Sequence, residues 1–167
     1  MNASDEIYKK LKHVGHLHER VYDLWNIEMA DDRARKNKSV RCGIKQHDKN
    51  RLKENKELSH KLRDLIYQTS EYSTFIIYEP KERLIFRLPY YPDRITHHAI
   101  MNIMEPIWTK IFIDQTYSSI KNRGIHKVEY DLSKVLKKDP DGTKYCLKMD
   151  IKKFYPSITH DILYEML

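Results

Sequence analysis

The stretch YCLKMDIKKFYPSI, Tyr145–Ile158, decides how the chain reads. Ahead of its aspartate, Lys144–Ile151 alternates polar and apolar side chains, the period-two pattern that predicts a β-strand. Asp150 stands at the end of that strand. Strand geometry fixes a carboxylate there, and the turn that follows leaves room for a bulky anion such as a triphosphate. Two readings are open. In one, Asp150 only caps the turn. In the other, it binds a divalent cation. Magnesium suits hard oxygen ligands, and the backbone carbonyl of Ile151 offers a second one. Two such ions about 4 Å apart would activate an attacking hydroxyl and neutralise a leaving pyrophosphate.

Working outward, Ser157–His160 opens a last helix, HDILYEML, and Asp139-Pro140-Asp141-Gly142 is a turn. Gly124 breaks the chain, with a helix predicted over Ile125–Leu136. A longer helix is predicted from Asp93 to about Phe112, after Pro89 and Pro92 have ended a strand. That strand, Arg83–Leu88, and Ser73–Tyr78 before it are rich in β-formers. The charged turn Glu79-Pro80-Lys81-Glu82 between them makes a hairpin. Further upstream, Lys49–Tyr67 reads as a helix with Leu52, Leu58, Leu62, Leu65 and Ile66 on one side. Ile7–Met29 reads as an amphipathic helix through Leu11, Val14, Leu17, Val21, Leu24 and Trp25, capped within Asn2–Asp5. No internal repeat or low-complexity tract is present.

The 167 residues carry a formal charge of +7, unevenly placed. Between Arg33 and Lys53, nine basic residues face one acid, Asp48, so this aperiodic stretch alone carries +8. A basic loop with room for a short helix attracts phosphate backbones by releasing counterions; the alternative is a solvated loop. The start, MNASDEIYKK, lacks a secretion signal's layout, and no apolar run is long enough to span a membrane. Cys42 and Cys146 match no zinc spacing, which fits a reduced, cytoplasmic setting. His13, His16 and His18 lack a carboxylate or cysteine at ligand spacing, so no metal site is expected there. His97 and His98 read as structural or backbone-contacting. Ser118, Ser119 and Cys146 have no partners for nucleophilic catalysis, and with four glycines the chain has no phosphate-cradling loop.

In order along the chain, DIKKFYPSI resembles the first palm motif of reverse transcriptases, in the form found in bacterial retroelement enzymes of the retron, diversity-generating and group II intron types. IYEPKERLIFRLPYYPDRITHHAIMNIMEPIW, Ile77–Trp108, resembles their fingers hairpin, proline-rich link and first fingers helix. FIDQTYSSIKNRGIHK, Phe112–Lys127, is similar to the next fingers motif, with Tyr117, Lys121, Arg123, Gly124 and His126 in register. The leading helix and basic stretch look like the extra N-terminal segment of these enzymes.

The resemblance implies an α+β fold: a helical basic N-terminal segment over 1–72, fingers with a β-hairpin over 73–142, and the first strand of a right-hand polymerase palm over 143–167. It implies RNA-directed DNA synthesis in the cytoplasm, with an RNA template, a DNA primer, deoxynucleoside triphosphates and magnesium, and no membrane. Asp150 and the Ile151 carbonyl would hold the metal. Tyr155 would pack under the incoming sugar and reject a 2′-hydroxyl, while Phe154 turns to the core. Lys81 and Arg83 would hold the triphosphate, with Arg87 and Arg94 as further candidates. Arg33, Arg35, Lys36, Lys38, Arg41, Lys121 and Arg123 would contact nucleic acid. Two departures stand out. Ile120 replaces the arginine of the family's Ser-Tyr-x-x-Arg element. The second metal-binding element, Tyr-x-Asp-Asp, is missing, and the one Asp-Asp pair, Asp31-Asp32, lies in the wrong context. The chain is therefore expected to be an N-terminal piece, inactive by itself. Two rivals remain: a non-catalytic RNA-binding module, and a template-independent polymerase of the abortive-infection type.

Overall fold

Asp23 splits the expected leading helix in two. Its extended backbone ends α1 (Leu17–Tyr22), and its carboxylate accepts the Trp25 amide at 2.9 Å to start α2 (Leu24–Arg35), as an N-cap aspartate does. The computed structural model describes residues 14–38 and 40–166; the expected cap at Asn2–Asp5, Leu11 and His13 lie outside them. Arg33 and Arg35, expected in a loop, form the last turn of α2, where cations suit the helix's negative end. The basic stretch then folds into α3 (Cys42–Asp48).

Helix α4 is shorter than expected, Arg51–Arg63, because Leu65 adopts a left-handed conformation beyond its end. Its buried stripe is Asn55, Leu58 and Leu62, while Leu52, Leu65 and Ile66 face solvent. Next come β1 (Ser73–Tyr78) and β2 (Glu82–Arg87), antiparallel from Ser73 opposite Arg87 to Tyr78 opposite Glu82. The register leaves a turn of Glu79, Pro80 and Lys81, and β2 lies one residue earlier than expected. A kinked turn over Tyr90–Arg94 leads into α5 (Ile95–Ile111), with Tyr91 extended before Pro92.

The core gathers Ile27 and Ala30 of α2, Leu58 and Leu62 of α4, and Ile95 and Ala99 of α5, with Val21, Tyr22, Tyr67, Tyr90 and Tyr91 packed round it. Polar contacts lock these helices. Asn26 donates to the carbonyls of Val21 at 3.0 Å and Ala99 at 3.1 Å, and receives the amide of Asn102 at 2.9 Å. Buried Asp93 fixes the entry to α5 by accepting the Tyr67 hydroxyl at 2.7 Å and the Ser70 amide at 3.0 Å.

The chain divides between Ile113 and Asp114 into two units, so the division falls inside the segment 73–142 expected as fingers. The second unit holds α6 (Ile125–Lys138), α7 (Phe154–Ser157) and α8 (His160–Met166). The strand expected over Lys144–Ile151 is not formed: among the described residues the only sheet is the hairpin. A strand needs a neighbour for its backbone groups, and here Tyr145, Leu147, Met149 and Ile151 are all exposed. Phe154, expected in the core, is about half exposed. It lies in a helical turn, where successive side chains do not alternate as in a strand. The described residues thus combine helices with one two-stranded antiparallel sheet, an α+β composition. No helix among the described residues is long and apolar enough to cross a membrane.

Candidate nucleic-acid interface

The basic stretch is partly neutralised from within. Asp31 is fully buried and gathers hydrogen-bond donors from three places along the chain. Arg35 grips it through Nη2 at 2.8 and 2.9 Å and Nε at 3.2 Å, Arg51 reaches it through Nε, and the Tyr90 hydroxyl donates to it. His47 Nε2 lies 3.6 Å away, while His47 Nδ1 meets Glu54. Arg35 also pairs with Asp48 at 2.6 Å, and Arg51 with Asp32. Two cations of the block therefore hold α2, α3 and α4 together. Arg35, expected to contact nucleic acid, is committed to this cluster.

Burial alone would raise the Asp31 carboxyl, but His47, Tyr90, Arg35 and Arg51 outweigh it and hold the group far below the usual range. Burial alone would lower the His47 imidazole, but Asp31 and Glu54 outweigh that and raise it. His47 stacks on Tyr91, ring centroids 5.2 Å apart, and burial pushes the Tyr91 hydroxyl up to about 12. The raised imidazole sets a pH dependence. Its folded pKa exceeds its unfolded one, so its stabilisation is full below the unfolded value of about 6.5 and fades as pH rises through the folded value. Urea unfolding from pH 6 to pH 9 should show stability falling on the alkaline side, and His47→Gln should remove that part of the fall. An unchanged profile in the variant would assign it elsewhere.

The other cations converge on a different face. Arg94, the residue that caps the start of α5, and His98 and Asn102 within it recur at four-residue spacing and share one side of the helix. The Asn102 carbonyl oxygen accepts from the guanidinium of Arg33, which brings the end of α2 to that side. Just past α2, the Arg41 amide donates to the Lys38 carbonyl at 3.0 Å, and the charge of Arg94 first, then burial and Arg41, hold the Lys38 amine below its usual value. The structure thus joins Arg33, Lys38, Arg41 and Arg94, which the sequence reading divided between nucleic acid and triphosphate. Lys36 is exposed beside them in sequence. His97 and His98 read from the sequence as structural or backbone-contacting, and the spacing of 94, 98 and 102 places His98 on the side of Arg94.

On the hairpin, residues directly opposite share a face. Arg83 lies opposite Ile77 and Arg87 opposite Ser73, so both arginines stand on one face with Phe75 and Ile85. Glu82, Leu84 and Phe86 lie on the other with Thr74, Ile76 and Tyr78, and Tyr72 packs edge-on to Phe86 at 5.2 Å. Lys81 is at the tip. Arg87 also lines a cavity of about 310 Å³ with Gln46, His47, Glu54, Tyr90 and Tyr91.

In the second unit, Arg123 donates to the carbonyls of Thr116 at 3.2 Å and Asp114 at 3.4 Å, which braces the loop before α6. The Tyr117 hydroxyl and Lys127 both reach Asp131, at 2.9 and 2.8 Å. A cavity of about 610 Å³ lies over these residues and Leu132 and Val135 of α6. Lys121 is exposed in the same loop. Asp150 is exposed and makes no hydrogen bond or ion pair with the described residues. Tyr155 is 82% exposed, touching Phe154 edge-on at 5.2 Å. The donor chemistry of Asp150 and the adjacent carbonyl fits magnesium. Among the described residues, however, no group of three or more carboxylates, histidines or cysteines could hold a metal. His18 Nε2 sits 2.9 Å from the Leu62 carbonyl, and His13 lies outside the described residues.

No family model matches the chain, and no curated protein matches it significantly.

Proposed function

We propose that this chain is the fingers and first palm segment of an RNA-directed DNA polymerase similar to those of bacterial retroelements. The observation that carries the reading is the order of parts. A hairpin with Arg83 and Arg87 on one face precedes the buried Asp93 that opens a long helix, and the run Asp150–Ile158 follows downstream. Each part alone is common; their succession is not.

In this reading Lys81, Arg83 and Arg87 offer donors to a triphosphate. Arg83 and Arg87 are four residues apart on one strand, about 13 Å at strand rise, so one cation cannot duplicate the other's contacts. Asp150 and the Ile151 carbonyl would hold magnesium, which supplies the charge stabilisation for phosphoryl transfer. The Tyr155 ring would lie against the incoming sugar and exclude a 2′-hydroxyl. Cytoplasmic DNA synthesis from an RNA template and a DNA primer belongs to the same proposal.

The sugar gate is the direct test. In the intact polymerase, Tyr155→Ala should raise ribonucleotide incorporation by about ten- to a hundredfold, the range over which a pocket discriminates one small group. Deoxynucleotide use should fall only moderately. Phe154→Ala should leave sugar selection alone. Single-nucleotide incorporation separates them; relaxed selection in Phe154→Ala only would move the gate by one residue, and no incorporation at all by the parent would refute the polymerase reading.

A further inference from the structure

The cluster round Arg94 contains more positive charge than its surroundings balance. Arg33 comes from α2, Lys38 and Arg41 from the segment after it, and Arg94, His97 and His98 from the start of α5. No acidic residue lies in the first turn of α5. The nearest carboxylate in sequence, Asp93, is buried and bound to Tyr67 and Ser70. Arg41 and Arg94 are exposed, Lys38 is half-buried and His98 is half-buried beneath them. Arg33 is steered toward α5 by Asn102, and Asn102 is held in turn by Asn26. Cations brought together by an ordered scaffold rather than dispersed in solvent suit a partner carrying closely spaced negative charges.

Resting on the nucleic-acid reading above, we propose that Arg33, Lys38, Arg41 and Arg94 form one site for a phosphodiester backbone, and that His98 takes up a proton when a phosphate enters it. Arg94 therefore serves the nucleic-acid strand rather than the nucleoside triphosphate. Burial first, and then Arg94, Lys38, Arg33 and His97, hold the His98 imidazole below its usual value in the free protein. These are the charged groups facing it from α2, the following segment and its own helix. A phosphate offsets them, so the imidazole gains a proton and a charge-assisted contact on binding. Binding then strengthens as pH falls. A phosphate backbone is present in RNA and DNA alike, so the site serves a template or a primer strand.

The test uses the 167-residue chain, a short fluorescent oligouridylate, an oligothymidylate of equal length and vesicles containing phosphatidylserine. Affinity is measured over a salt series at pH 6 and pH 8. Oligouridylate should bind more tightly at pH 6, with one linked proton giving at most about tenfold per pH unit. His98→Gln should flatten that dependence while binding at pH 8 persists, and His97→Gln should keep it. Arg94→Gln and Lys38→Gln should each reduce the slope of log affinity against log salt by about 1. Equal affinity for the two oligonucleotides assigns the site to the backbone; a preference for oligouridylate assigns it to an RNA strand. An undiminished pH dependence in His98→Gln, an unchanged slope in both cation variants, or binding to vesicles alone would overturn the proposal. The expected pattern in a protein whose intact form extends no primer would instead refute the polymerase reading and leave this site standing.

Discussion

Asp150→Asn is expected to reduce primer extension by the intact polymerase by at least about 10³-fold, the scale on which one key electrostatic group acts. The replacement keeps the size of the side chain and removes the charge that a magnesium ion requires. The structure separates this loss from damage to the fold. Asp150 is exposed and has no hydrogen bond or ion pair among the described residues. Its substitution should therefore shift stability by no more than about 0.5 kcal/mol, as is usual for surface positions without special contacts. The two readouts are nucleotide incorporation and urea unfolding. Retained activity would remove Asp150 from the reaction. Lost activity with an equally lost fold would make it a structural residue, such as a cap of its turn.

Asp31→Ala should be the most destabilising single change in the first unit, costing about 3–5 kcal/mol, as expected when one partner of a buried charge cluster is removed. The substitution strands Arg35, Arg51, the Tyr90 hydroxyl and His47 with no acceptor at their centre. The neighbouring carboxylate supplies the comparison. Asp32 is 65% exposed and meets only Arg51 among the described ion pairs, so Asp32→Ala should cost about 0–1 kcal/mol, in the range of surface pairs. Urea denaturation of the two variants at neutral pH reads the difference. Equal costs would mean that Asp31 adds nothing beyond a surface pair. Because Asp31 has a depressed pKa, its contribution is present above the unfolded aspartate value of about 3.9 and is lost as pH falls through the folded one.

Much of the architecture was legible because it rests on local signals. The hairpin followed from two β-rich runs about a charged turn. The long helix after Pro92 and the helix after Gly124 followed from chain breakers and apolar spacing. The core of the first unit was harder to read because part of its buried surface is polar. Asn26, Asp31, His47, Asn55 and Asp93 are all buried, and a hydropathy pattern places such residues outside. The same blindness put Trp25, 69% exposed, on the inner stripe. Alternation around Met149 indicated a strand, but a strand requires a partner as well as a pattern. At the candidate site, the cations were visible as a charge run. What was not visible was their division into two roles. Arg35 and Arg51 are turned inward by Asp31, while Arg33 meets Asn102 and Lys38 feels the charge of Arg94 across more than fifty residues of sequence. Charge counting gives the sum of such a stretch; only tertiary contacts say which charges remain available.

The arrangement of the core also dictates an order of events at the ribosome. Ile27, Ala30, Leu58 and Leu62 emerge well before Ile95 and Ala99, which complete their packing. At about 5–20 residues per second, the interval between Leu62 and Ala99 lasts roughly 2–7 s. During it the nascent helices show an unfinished apolar surface to the solvent. The hairpin emerges inside that interval, and such a local element closes within about 1–10 μs. It is therefore an early structure flanked by unfinished ones. Chaperone capture and misassociation with neighbouring nascent chains have their opening before α5 arrives, and its docking ends that exposure for the first unit.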